Sequence, residues 1–341
     1  MLEDPEFAEW QLRAEPEVAQ SSGPPTEFFA DPSRQVLSFN SSPDVPFEAS
    51  LNPYRGCEHG CSYCYARPTH EYLGFSAGLD FETKVLVKQD APALLRKALA
   101  ARGWKPQVVA LSGVTDPYQP IERRLGITRH CLEVFAEFRN PVAIVTKSGL
   151  VTRDIDLLCD LAHDNAAAVY VSITTLEREL HRVMEPRAAT PKRRLATIEA
   201  LARAGIPVGV LVAPVIPGLN DHEIPAIVAA SASAGAQFAR HIMLRLPHGL
   251  RKLFEDWLER HFSERKAKVL NRIRAVRDGH LSDPRFHSRQ RGSGPFAEQI
   301  EAMLNLARHR AGLEDVGPTL SVAAFRRPSN RTSQLSLFGN A

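Results

Sequence analysis

The sequence predicts an α/β fold: a partial (β/α)6 TIM-type barrel with an N-terminal extension and a helical C-terminal region. Three observations predict it. Six short β-rich apolar runs alternate with amphipathic helical patterns between residues 47 and 250. The runs are continuously apolar, as parallel strands are when helices cover them. Polar residues recur at the C-terminal end of one run after another, which is where barrels place their chemistry. A doubly wound open sheet is the alternative architecture.

Residues 1–46 are rich in Pro, Ser, Glu and Asp with little periodicity, and are expected to form an irregular acidic extension. Residues 1–50 hold two basic side chains against ten acidic ones. The opening "MLEDPEFAEW" is unlike a signal peptide, and no apolar run reaches spanning length. A cytoplasmic protein without a membrane partner is therefore expected. The first run, "FEASLNPY", leads to Arg55 and the cysteines. The second, "QVVALSGV", brings Ser112, Thr115 and Asp116, and the third, "PVAIVTKSG", brings Thr146 and Lys147. "AAVYVSITT" ends in Ser172 and Thr174, "IPVGVLVAPVI" is the fifth run, and "RHIMLRL" leads to Arg245 and His248. The helical patterns between them run from "APALLRKALAAR" to "DHEIPAIVAASASAGA". The barrel is thus assigned to 47–250, a basic and mainly helical region to 251–327, and a disordered tail to 328–341. Residues 240–341 carry nineteen basic side chains against ten acidic ones. That excess suits a polyanionic partner, nucleic acid first, and equally a solvated helix face.

Three of the five cysteines fall within eight residues, as Cys57-x3-Cys61-x2-Cys64 inside "NPYRGCEHGCSYCYARPTH". An odd, clustered count argues against a disulfide framework and for ligand chemistry in a reducing compartment. Structural zinc wants four ligands, commonly with paired C-x2-C, and there is no second pair; His59 or His70 as a nitrogen donor keeps zinc open. A four-iron cluster ordinarily takes four cysteines, so three leave one iron open to a small molecule. Cys131 and Cys159 lie in helical patterns, where cysteine is usually a small buried hydrophobe.

The cysteine spacing, with Tyr63 before the third cysteine and a strand before the first, resembles the radical S-adenosylmethionine (SAM) superfamily. Together with "TDPYQPIE" (115–122), "MEPRAATPKRRLATIEAL" (184–201) and "VAPVIPGLND" (212–221), it resembles the branch containing spore photoproduct lyase, over about residues 47–250. The resemblance implies that Cys57, Cys61 and Cys64 ligate a [4Fe–4S] cluster whose open iron chelates the amino and carboxylate groups of SAM. Reductive cleavage of SAM then starts hydrogen-atom abstraction, with an electron donor such as flavodoxin or ferredoxin. Carried over residue by residue, the resemblance sets Tyr63 near the adenine, with Val215 and Ile216 as an apolar wall. Ser112, Thr115 and Asp116 would meet amino or ribose groups. Lys147 and Ser172 would meet the carboxylate or ribose, Thr174 would offer a further hydroxyl, and Arg187 would neutralise the carboxylate. Charge-assisted bonds from Lys147 and Arg187 suit a carboxylate.

One departure matters for the substrate. Spore photoproduct lyase uses a cysteine at the end of its second barrel strand as hydrogen-atom donor, and here that stretch reads "LSGVTDPYQP". Thymine-dimer repair by that route is not expected. Repaired DNA, a modified nucleotide and a modified protein all stay open as products. In the tail, "QLSLF" places Leu335, Leu337 and Phe338 after Gln334 in a polar setting. It resembles the motif by which bacterial polymerases and repair proteins bind the DNA sliding clamp; docking onto the parent barrel is the other reading. The alternative to an enzyme is a non-catalytic zinc- or Fe–S-bearing protein that binds nucleic acid or the clamp.

Overall fold

The computed structural model describes residues 24–328; residues 1–23 and the tail segment with Gln334, Leu335, Leu337 and Phe338 lie outside the described residues. The strands are β1 (Glu27–Ala30), β2 (Leu37–Phe39), β3 (Ala49–Leu51), β4 (Tyr54–Arg55), β5 (Lys84–Val87), β6 (Val109–Leu111), β7 (Val142–Thr146), β8 (Ala167–Ser172), β9 (Val208–Val215) and β10 (Phe238–Met243). β3, β6, β7, β8, β9 and β10 are neighbours in that order, each pair parallel. A doubly wound sheet reverses its order at a switch point, so strict sequence order decides for the barrel. The barrel is open. Its sheet ends at β10 on one side and at β2, antiparallel to β3, on the other.

The described part of the acidic extension, residues 24–46, differs from the irregular segment expected. β1 adds in parallel to β5, β4 pairs antiparallel with β5, and these three strands form a second small sheet. Segments as short as "EFFA" and "LSF" carry no readable period; the partner edge, rather than propensity, makes them strands.

Helices α1 (Ala91–Ala100), α2 (Ile127–Phe138), α3 (Ile155–His163), α4 (Arg178–Met184), α5 (Pro191–Arg203) and α6 (Ile224–Ser233) follow in turn. Their buried positions fall at helical spacing, as with Leu95 and Leu99 in α1 or Arg194, Thr197, Ile198 and Leu201 in α5. At the start of α5 the Thr190 hydroxyl accepts from Arg193 N–H at 3.3 Å, with Pro191 in the first turn. Cys131 is fully buried in the main core, as its helical setting predicts.

α7 (Leu250–Ala275) bends at Phe262, where φ is −147°, and α8 (Pro295–Ala311) follows. The chain then crosses the N-terminal ends of the strands. Glu314 bridges to Phe238, Asn165 Nδ2 donates to Thr319 O at 3.0 Å, and Arg327 Nη2 donates to the carbonyls of Ala101 and Trp104 at 3.2 and 3.0 Å. Among the described residues no helix is long and apolar enough to cross a membrane.

Candidate functional site

Strand β4 runs directly into the cysteine loop, and neighbouring segments brace that loop. Gly56 has φ +87°, and a Cβ there would meet Phe81 O and His70 Cε1 at 2.9 Å. Only glycine suits both the conformation and the space. Cys57 N–H donates to Phe81 O at 2.9 Å, and Ser62 N–H to Met184 O at 2.9 Å. The Gln119 amide spans the first cysteine: its Nε2 donates to Gly56 O at 3.2 Å and its Oε1 accepts from Glu58 N–H at 2.9 Å. Arg67 donates from Nε to Cys61 O at 3.1 Å and reaches Glu82 through Nη2. Burial first, and a nearby carboxylate second, push up the thiols of Cys57 (beside Asp116) and Cys61 (beside Glu185), Cys61 to about 12; burial raises Cys64 against the pull of Arg67.

Beneath the loop lies a buried polar network. The Tyr63 hydroxyl donates to Glu185 Oε1 and lies 3.3 Å from Thr174 Oγ1. Thr174 donates to Glu185 at 2.7 Å, and Arg194 Nη2 donates to the other carboxylate oxygen. Arg194 also donates to the carbonyls of Ala189 and Ser172, both at 2.8 Å. Burial alone would raise the Glu185 carboxyl, yet Arg194 and Lys147 outweigh it and hold it at about 2. It is an ionised carboxylate. Lys147 Nζ donates to Ser172 Oγ at 3.2 Å and stands 5.8 Å from the Tyr63 ring centroid.

The loop after β6 closes the other side. Asn52 Oδ1 accepts from the N–H groups of Gly113, Val114 and Thr115 at 3.0, 2.8 and 3.3 Å. Ser112, on the turn at the end of β6, has φ +91°, and the Thr115 hydroxyl donates to Tyr54 O at 2.8 Å. Asp116 accepts from Tyr118 N–H and the Thr146 hydroxyl on one oxygen, and from Lys147 N–H at 2.7 Å on the other. His59 Nδ1 lies 3.5 Å from Asp116, and burial lowers its pKa against the pull of that carboxylate.

The sequence-predicted residues therefore separate into groups. Tyr63, Lys147, Ser172 and Thr174 form one connected patch beside the cysteines, and Ile216 packs in the same apolar cluster as Cys61 and Tyr63. Val215 belongs to the main barrel core. Thr115 and Asp116 bond within the protein. Arg187, expected at a cofactor carboxylate, donates from Nε to Glu58 O and from Nη2 to Glu82, so it ties the "MEPR" turn to the cysteine loop. Sequence reasoning missed Asn52, Gln119, Glu185 and Arg194. All four stand inside the quoted motifs; Glu185, between Met184 and Pro186, was the one with a local signal.

An open α/β barrel with three loop thiols beside the C-terminal ends of its strands defines a class: barrel proteins whose clustered thiols can hold a cofactor. The sequence pattern of the radical SAM superfamily matches residues 51–230, more than half of the chain, and the chain belongs to that superfamily. It is 40% identical over 222 residues to an uncharacterized protein of Mycobacterium tuberculosis, covering 64% of this chain and 65% of that one. The match thus spans less than two thirds of that relative's length. It is 28% identical over 174 residues to the radical SAM Nalpha-GlyT isomerase of Pseudomonas phage M6, covering 50% of this chain and 34% of the phage protein. Spore photoproduct lyase complexed with dinucleoside spore photoproduct is similar in fold, with a TM-score of 0.59 at 18% identity, over 83% of this chain and 79% of that chain.

The superfamily implies a [4Fe–4S] cluster and SAM as cofactors. The donor set fits. A single tetrahedral ion with thiolate bonds of about 2.3 Å draws its sulfurs to about 3.8 Å of one another. Among the described residues, the group of three potential ligands gathered within 4.8 Å is Glu177, His222 and Glu223, which includes no cysteine. The three thiols are therefore not all within 4.8 Å of one another, so they are not drawn together as a single tetrahedral ion would draw them.

Proposed function

We propose that Cys57, Cys61 and Cys64 hold the cluster, that SAM lies against Tyr63, Lys147, Ser172 and Thr174, and that the enzyme takes a hydrogen atom from a nucleic-acid substrate. When bound and reduced by a flavodoxin- or ferredoxin-type donor, such a cluster supplies one-electron cleavage of SAM to methionine and a 5′-deoxyadenosyl radical. The carrying observation is the patch formed where the cysteine loop meets the strand ends: the Lys147 ammonium, 3.2 Å from the Ser172 hydroxyl, faces the Tyr63 ring. In this reading Lys147 pairs with a carboxylate, while Ser172 and Thr174 offer hydroxyls to a ribose. Ser112, Thr115 and Asp116 belong to the facing loop, Arg187 ties the cysteine loop to the "MEPR" turn, and Val215 and Ile216 would back the SAM adenine from the buried cores.

Anaerobic reconstitution tests this. Roughly four irons per chain and 5′-deoxyadenosine released from SAM on reduction are expected, and Cys61→Ala loses both. Zinc in protein from anaerobic cells, with no SAM cleavage after iron loading, would sink it.

The basic excess of residues 240–341 supports a nucleic-acid substrate, and the solved lyase of similar fold takes a dinucleoside. Deuterated nucleic acid should pass label into 5′-deoxyadenosine; label arriving only from deuterated protein would reverse the choice. The same reading makes Gln334, Leu335, Leu337 and Phe338 a sliding-clamp tether. Phe338→Ala and Gln334→Ala should each weaken clamp pulldown, and equal recovery would remove it.

A further inference from the structure

A cleft of about 420 Å³ lies at the first edge of the barrel, lined by Ser33, Arg34, Gln35, Leu37, Ser38, Arg55 and Lys88. Three of these are cations and none is a carboxylate. Asp31 sits behind the wall with its side chain 2% exposed, and its Oδ2 lies 2.7 Å from Arg55 Nε. Arg55 also donates to Ser33 Oγ at 2.7 Å, so its charge and donors are engaged. Arg34 and Lys88 make no salt bridge among the described residues. Lys88 is only 8% exposed, and burial lowers its pKa, with Asp31 opposing and Arg55 adding to the effect. The Lys88 stem is buried while its ammonium reaches the cleft without a salt bridge, so an anion there would meet a charge that is already partly stripped of water.

The cleft's place in the fold is specific. Leu37 stands opposite Leu51, the last residue of β3, so the cleft opens at the end of the barrel that carries the cysteines. Arg55 precedes Cys57 by two residues. Phe39, the last residue of β2, follows the cleft residues Leu37 and Ser38 along the same edge strand and is 66% exposed.

We propose that this cleft binds a phosphate group, with Lys88 and Arg34 as charge partners and the Ser38 hydroxyl as a donor, and that it takes a backbone phosphate of single-stranded nucleic acid while Phe39, exposed on the same edge strand, stacks on a base. The phosphate site stands on the cleft alone; its use for nucleic acid rests on the substrate reading above. Cations interleaved with an exposed aromatic ring are the general solution for single strands. The competing account is that Arg34 and Lys88 merely guard an exposed strand edge against pairing.

The test uses the full chain and two probes, a fluorescent single-stranded oligonucleotide and inorganic phosphate. Lys88→Gln and Arg34→Gln should each weaken oligonucleotide binding about tenfold and lower its salt slope by about one. Arg203→Gln, which removes the same charge from the exposed end of α5, should bind like wild type. Phe39→Ala should weaken binding with the salt slope unchanged. If wild type ignores the oligonucleotide but binds phosphate, and both cleft variants lose it, the anion site stands and the nucleic-acid reading falls. If both variants bind each probe as tightly as wild type, the cleft proposal is overturned, whatever the substrate. Arg34 is exposed, so its variant keeps the test valid should Lys88→Gln unfold.

Discussion

The Tyr63 hydroxyl donates to Glu185 across 122 residues of sequence, joining the cysteine loop to the turn that follows α4. Glu185 is fully buried and Arg194, its ion-pair partner, is 1% exposed. Taking two such charges out of water costs several kcal/mol each, and only a fully bonded network repays it. Here Tyr63, Thr174 and Arg194 bond the carboxylate, while two carbonyls bond the guanidinium.

Glu185→Ala should therefore destabilise the fold by about 3–5 kcal/mol, because Arg194 is left charged and buried without its counter-ion. Glu185→Gln retains an acceptor for Tyr63 and should lose less. Thermal melting compared across the three proteins decides it; an unchanged midpoint for Glu185→Ala would show that the pair adds nothing.

The same carboxyl makes stability depend on acid. Its folded value, about 2, lies below the ordinary 4.5. The folded state therefore binds fewer protons, and the contribution is complete above about pH 4.5 and lost as pH falls toward 2. Urea midpoints for wild type should drop across that window more steeply than those of Glu185→Gln. Parallel curves would remove Glu185 as the cause.

The two kinds of contact differ in how far the sequence shows them. Cys57, Cys61 and Cys64 are legible because one loop supplies all three thiols, so spacing alone carries the pattern. The six barrel strands are legible because continuous apolar runs leave few other folds. β1 and β2 are not, since their pairing edges belong to distant residues. Arg187 reads as a free cation in "MEPR" because its partners, Glu58 and Glu82, lie over a hundred residues earlier. Asn52, Gln119 and Arg194 are invisible for the same reason: what they do is set by backbone groups that only the fold brings near.

Gly56→Ala should damage the cysteine loop directly. The new Cβ would face backbone at 2.9 Å and sit at φ +87°, and neither is relieved by moving a side chain. Reconstituted iron per chain should fall well below that of wild type, along with the melting midpoint. Full iron loading at an unchanged midpoint would mean the loop tolerates a different path.

Asn52→Ala should separate the two halves of the site. Three N–H groups lose their shared acceptor, at a cost of about 1–3 kcal/mol. The loop carrying Ser112 to Asp116 loosens, while the braces on the cysteines stay. KM for SAM should rise severalfold with iron content unchanged, and Asn52→Asp should restore most of it. Loss of iron together with SAM affinity would place Asn52 under the cysteine loop instead.

Lys147→Met tests the proposed cofactor patch with the least disturbance to the fold. Methionine replaces most of the lysine stem by similar volume, so contact with the Tyr63 ring is largely kept and only the ammonium is removed. If that ammonium pairs with a carboxylate of SAM, affinity should fall about tenfold or more, since a charge-assisted bond is worth about 1.5–3 kcal/mol. Iron content and melting midpoint should hold, because Ser172 keeps its bond to Ala213 O at 3.1 Å and Glu185 keeps Arg194. Lys147→Arg keeps the charge and should recover part of the affinity. A Lys147→Met protein that binds SAM normally yet melts early would make Lys147 a prop for Glu185, and would move the cofactor's carboxylate elsewhere.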